Sequence, residues 1–190
     1  MFRSALFVLA LARGALAQQA GTLSPTESHP KLAIQQCSSA GCETLARSIV
    51  LDANWRWFDE AGANCFDGYA WAPVCDGDPT CTRVCALEGG NYEGTYGIKA
   101  AGHNLTIGFV TRGGSGNNVG SRSYLLSEDD ATYEMFTLNN REFTFDVDVS
   151  SLPCGLNAAL YFVEMAEDGG MADAENNKAG AAYGTGYCDA

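Results

Sequence analysis

The large apolar residues of this chain recur with period two rather than 3.6. Leu105, Ile107 and Phe109 alternate with Thr106 and Gly108, and Phe143, Phe145, Val147 and Val149 alternate with Thr144, Asp146 and Asp148. Each run predicts a strand with one face in a core and the other toward solvent or a cleft. Residues 123–126, 132–138 and 158–165 add strand candidates, and Gly113-Gly114-Ser115-Gly116 and Gly169-Gly170 punctuate them as turns. No amphipathic helix of ordinary length is evident after the first residues. The pattern predicts an all-β domain, a β-sandwich or jelly roll in which two curved sheets share a core. In residues 158–165, Tyr161 and Val163 alternate with Leu160 and Phe162, so both faces carry large side chains. A central strand packed on both sides and a strand lining a cleft both fit that pattern.

Residues 1–17 read as a secretory signal. Arg3 gives a positive start, residues 5–11 an apolar run, and Ala15-Leu16-Ala17 a small-residue cleavage site. The run is too short for a bilayer span, and no later stretch is long enough. The full sequence carries a formal charge of -12, and cleavage would remove Arg3 and Arg13, making the mature chain more acidic. Such a charge disfavours nucleic acid and anionic membranes, whereas a neutral polymer meets no repulsion. Eight cysteines in a secreted chain imply disulfides. Six lie between Cys37 and Cys85, and Cys154 and Cys188 lie far away. Their spacings do not resemble a zinc site, and His29 and His103 form no paired ligand pattern. Neither a metal nor a cofactor is implied. Asn104-Leu105-Thr106 is an N-glycosylation sequon.

The densest binding signal is Leu51-Asp52-Ala53-Asn54-Trp55-Arg56-Trp57. On an extended segment Trp55 and Trp57 would share a face, roughly 6.6 Å apart. Flat indoles suit the apolar face of a sugar, and Arg56 and Asn54 could donate to hydroxyls. Two core tryptophans would give the same spacing.

The heptapeptide LDANWRW resembles the start of glycoside hydrolase family 7, the cellulose-degrading enzymes that include fungal cellobiohydrolases. The likeness continues through CALEGGNYEGTYG at residues 85–97, NVGSRSYLL at 118–126 and MFTLNNREFTFDVDVSSLPCGLNAALYF at 135–162. DGG at 168–170, AGAAYGTGYCD at 179–189 and QQAGTLSPTESHPKL at 18–32 complete it. The resemblance implies a concanavalin-like β-jelly-roll sandwich, incomplete in this chain, with residues 18–190 forming the N-terminal part of the catalytic domain. It implies retaining cleavage of β-1,4-glucosidic bonds by a secreted enzyme, monomeric when full length, whose partner is cellulose or another β-1,4-glucan. By the same resemblance Trp57 is a stacking platform at a tunnel entrance, Trp55 a deeper one, and Arg56 a hydroxyl ligand. Asn118 and Arg122 line the cleft, Asn157 and Tyr161 face it near the catalytic centre, Tyr187 and Asp189 match the end of the catalytic-side strand, and Asp189 belongs to the carboxylate network orienting the active site. The resemblance pairs Cys37 with Cys42, Cys65 with Cys85 and Cys75 with Cys81, and leaves Cys154 and Cys188 to partners beyond residue 190.

Retaining hydrolysis needs two carboxyl groups roughly 5–5.5 Å apart. The family supplies them from an E-x-D-x-x-E strand, a motif that these 190 residues do not contain. The catalytic pair is therefore expected beyond residue 190. Asp146 and Asp148 share a strand face, but the resemblance gives that strand no catalytic residue. Eight residues, MADAENNK, separate Gly170 from Ala179. That length, Trp55 and CGLNAALYF resemble cellobiohydrolases more than endoglucanases, although Ala174 stands where Tyr is common.

Overall fold

The computed structural model describes residues 19–22, 26–67, 69–75, 81, 83–114 and 116–188. The signal segment and Asp189 lie outside them. The chain is all-β, as its period-two pattern predicts. In order come β1 (Gln19–Ala20), β2 (Lys31–Ser38), β3 (Gly41–Leu51), β4 (Phe58–Glu60), β5 (Ala63–Asn64) and β6 (Ala86–Leu87). Then follow β7 (Ile98–Ala101), β8 (Asn104–Ile107), β9 (Val110–Gly113), β10 (Gly116–Val119) and β11 (Ser123–Leu126). Among the described residues no helix is long and apolar enough to cross a membrane.

The organising element is β3. It pairs antiparallel with β2 from Ser48 opposite Lys31 to Gly41 opposite Ser38, and with β11 from Leu51 opposite Ser123 to Ser48 opposite Leu126. Its first half is mostly exposed and its last four residues, from Ser48 to Leu51, are buried. There alternation feeds two cores at once. Ile49 and Leu51 pack with Tyr92, Tyr96 and Ile98, while Val50 packs with Leu126, Tyr133 and Ala181. The exposed half is tied by the cross-strand disulfide Cys37–Cys42. A small sheet ordered β1-β6-β4-β5 and the hairpins β7–β8 and β9–β10 complete the ladders. Disulfides Cys65–Cys85 and Cys75–Cys81 brace the region between β5 and β6. All three bonds match the pairing implied by the resemblance. Cys154 and Cys188 are exposed and are not bonded to each other.

Two expectations need correction. Residues 123–126 and 104–107 do form strands, but β8 is exposed on both faces, with Leu105 and Ile107 uncovered. Residues 134–165 form no strand among the described residues, apart from the contacts of Tyr133 and Glu134 with the end of β11. The alternation at 143–149 and 158–165 is real in sequence. Yet a strand is defined by a paired neighbour, and no described segment lies alongside to accept or donate the ladder bonds. These segments meet instead through rings: Phe136, Phe143 and Phe162 have centroids 5.0–5.7 Å apart. Asp148 accepts from the Ser150 amide and hydroxyl in an exposed turn, consistent with no catalytic role.

Candidate functional site: an aromatic and arginine platform

Where β3 ends, Asp52 is almost fully buried at 1% exposure. Its Oδ1 accepts from the Asn54 amide at 2.6 Å and caps a 3-10 turn, Ala53–Trp55. The expected extended segment is thus a turn, and Trp55 and Trp57 do not share a strand face. Trp55 is half-buried against the Leu51, Tyr92 and Tyr96 cluster, and its carbonyl accepts from the Tyr96 hydroxyl at 2.7 Å. Trp57 stands 49% exposed.

Arg122, just before β11, reaches the same carboxylate. Its Nε donates to Asp52 Oδ2 at 2.8 Å and to the Tyr124 hydroxyl at 2.9 Å. The Tyr124 hydroxyl in turn donates to Asp52 Oδ2. The guanidinium carbon lies 3.5 Å from the Tyr187 ring centroid and 5.4 Å from that of Trp55, in cation–π range of both. Tyr187 and Tyr161 hydroxyls are 3.2 Å apart, and Tyr187 leans against Tyr124. Trp55, Arg122, Tyr161 and Tyr187 therefore form one connected patch drawn from four stretches of sequence. Burial alone would lower the pKa of Arg122, but its hydrogen bond to Asp52 raises it, so it stays charged. Burial and the Asp52 carboxylate push the Tyr124 phenol upward, keeping it a proton donor.

Gly184 makes the patch possible. Its φ is +74°, and a Cβ there would lie 2.1 Å from the Leu51 carbonyl oxygen. Only glycine lets the segment carrying Tyr187 press on the end of β3, where the Ala53 amide donates to the Gly184 carbonyl at 3.0 Å. Asp52, Ala53, Asn54 and Phe58 face Gly184–Tyr187 across a cavity of about 170 Å³. Beside it, the loop from Asp168 to Gly180 is held internally. Asp168 accepts from the Gly170, Met171 and Ala172 amides, and buried Asn177 bonds Gly169, Gly180 and Thr185.

The other expected residues fall elsewhere. Arg56 is a correction, for its side chain is fully buried. It donates to the Leu51 and Glu88 carbonyls, to the Tyr92 hydroxyl and to both oxygens of Glu27, so it offers no donor to a ligand. Asn118, on β10, gives its amide to the Gly120 carbonyl at 2.7 Å. Asn157 is exposed in the unpaired stretch. Asn104 is exposed at the start of β8, open to modification. The sulfurs of Cys65, Cys75 and Cys85 lie within 4.8 Å of one another, but disulfides occupy them and leave no thiolate for a metal. Sequence reasoning assigned Asp52 and Tyr124 no role. The signals existed: Asp two residues before Asn54 is a cap spacing, and Arg122 and Tyr124 sit two apart as strand neighbours do.

Residues 21–190 match the model of glycosyl hydrolase family 7. A family 7 cellobiohydrolase from Daphnia pulex is 46% identical, with a TM-score of 0.86 over 90% of this chain. A cellobiohydrolase from Melanocarpus albomyces, solved with cellotetraose, is 48% identical with a TM-score of 0.84. The Humicola insolens endocellulase EGI is 36% identical with a TM-score of 0.76. This chain spans 40% of the two cellobiohydrolases and 43% of the endocellulase. The described strands accordingly make up part of the jelly-roll sandwich of those enzymes. The chain belongs to glycosyl hydrolase family 7.

Proposed function

We propose that these residues form much of the glucan-binding groove of a secreted, retaining β-1,4-glucanase, with hydrolysis performed by a longer polypeptide that brings the E-x-D-x-x-E carboxylates. The observation that carries this reading is the Trp55–Arg122–Tyr187–Tyr161 patch. Aromatic faces and a charged fork in one connected patch suit a neutral ring edged with hydroxyls. Trp57 serves as the outer platform and Trp55 as the inner one. Arg122 replaces Arg56 as the principal hydroxyl donor, with Asn118 and Asn157 along the same cleft and Asp189 as a further site residue. The signal-like start and the three disulfides support export to an oxidising compartment. The strong negative charge speaks for a neutral polymer as partner rather than nucleic acid or a membrane.

Within that reading, cellobiohydrolase action is favoured over endoglucanase action. The loop at residues 168–180 supports it, since hydrogen bonds from Asp168 and Asn177 stiffen a wall that could keep a chain in place between cuts. The test has two arms. Retention of the purified chain by microcrystalline cellulose should fall about tenfold or more in W55A/W57A, in line with one to two lost stacking platforms. Equal retention of wild type and double variant would reject the groove. The enzyme with its full catalytic strand should release mainly cellobiose from cellulose, and a broad spread of soluble and insoluble new ends would favour the endoglucanase alternative.

A further inference from the structure

Asp52 has almost no surface to offer a ligand, being 1% exposed. A buried carboxylate is costly unless donors satisfy it, and here the two oxygens have separate sets. Oδ1 takes the Asn54 amide, and Oδ2 takes Arg122 Nε and the Tyr124 hydroxyl. Arg122 thus meets its carboxylate side-on through Nε rather than end-on through its two terminal nitrogens. That choice has a consequence: among the described residues Nη1 and Nη2 of Arg122 have no hydrogen-bond partner, and the side chain remains 20% exposed. Four N–H bonds stay available on a guanidinium whose face is fixed against Tyr187 and Trp55.

We propose that Asp52 is a positioning residue for glucan binding, one oxygen shaping the turn that carries Trp55 and the other orienting Arg122 so that its terminal nitrogens face sugar hydroxyls. The proposal rests on the glucan-binding reading of this patch. Asp52 links platform and donor, so that stacking and hydroxyl recognition share one rigid frame. Tyr124 braces the pair, accepting from Nε while donating to Oδ2. A neutral Asn at position 52 keeps an acceptor for the turn but loses the charge that holds Nε, and Lys at position 122 has no second donor set to offer.

The test combines cellohexaose titration with a ligand-free readout. In the secreted chain D52N should weaken cellohexaose binding about tenfold, the scale of one charge-assisted hydrogen bond. The same substitution should add little in an R122A background, because Asp52 acts through Arg122. An unchanged affinity in D52N, or an equal loss with and without Arg122, overturns the proposal. The Arg122 Nε–H nitrogen resonance should exchange slowly with solvent in the wild type and fast in D52N. Should the wild type bind no cellohexaose, the glucan reading fails, and this exchange rate alone decides whether Asp52 positions Arg122. Should D52N not fold, Y124F replaces it, with faster Nε–H exchange expected and an unchanged rate counting against the proposal.

Discussion

Glu27 meets Arg56 with both oxygens at 2.8 Å, and also accepts from the Gly90 amide and the Tyr92 hydroxyl. Burial alone would raise its pKa, but the bond and charge of Arg56, with help from His29 and Tyr92, hold it at about 2. Removing one member strands the other inside the fold, so E27Q should cost about 3–5 kcal/mol in urea denaturation. A loss below about 1 kcal/mol would place the pair among those of little consequence. The same residue marks where sequence reading failed. LDANWRW was legible as a motif, and both Arg56 and Trp57 read there as sugar contacts. Only the fold reveals that a partner from residue 27 draws Arg56 inward while Trp57 stays out. Long-range pairing of that kind leaves no local spacing to detect.

The segment that carries Glu27 is pinned to the rest by His29. Its side chain is 6% exposed, with Nε2 near Glu27 Oε1 and the Ala182 carbonyl and Nδ1 at 3.2 Å from Asp130. Lys31 joins Asp130, Arg56 joins Glu27, and the Tyr92 ring stands edge-on to the imidazole. Both ring nitrogens face acceptors, so two N–H bonds, and hence the charged form, fit best. Burial would lower the His29 pKa, but bonds to Glu27, Ala182 and Asp130 raise it above 6.5. The stabilisation from a raised histidine is complete below the unfolded value of 6.5 and fades as pH climbs through the higher folded value. The depressed Glu27 works in the opposite sense, complete above 4.5 and lost as pH falls toward about 2. Melting temperature should therefore peak between those two unfolded values and decline on the alkaline side. H29Q should flatten the alkaline decline, and an identical decline in both proteins would assign it to other groups. At this scale the period-two pattern found β8 and β11 but placed β8 half in a core. Periodicity reports which residues share a face, and says nothing about whether a second layer covers it.

For the whole molecule the decisive feature is the uncovered apolar surface of residues 134–165. Phe143, Phe145, Val147, Leu160, Tyr161 and Phe162 are all 41–68% exposed. Beyond Glu134, whose amide donates to Leu125 on β11, this stretch has no ladder bonds to a neighbouring strand among the described residues, while β2 and β3 are knitted along their full length. The sequence pattern predicts strands at residues 143–149 and 158–165, because alternation survives whatever lies opposite, but the described structure pairs neither segment with a neighbour. That pattern could not supply the neighbours, since a jelly-roll sheet collects strands from distant stretches of chain. Exposed β-formers beside unpaired backbone attract any similar edge, including the same one on another molecule. The 190-residue chain on its own should thus associate as concentration rises, bind an apolar dye, and show fast amide exchange through residues 134–165 but slow exchange in β3. Charges placed in the aromatic cluster, as in F143D/F162D, should delay association by breaking the ring contacts and adding repulsion. Light scattering across a dilution series separates the outcomes. A monomer at every concentration with protected amides in residues 134–165 would mean that this surface closes on itself, and that the family fold tolerates far more uncovered sheet than burial energetics allow.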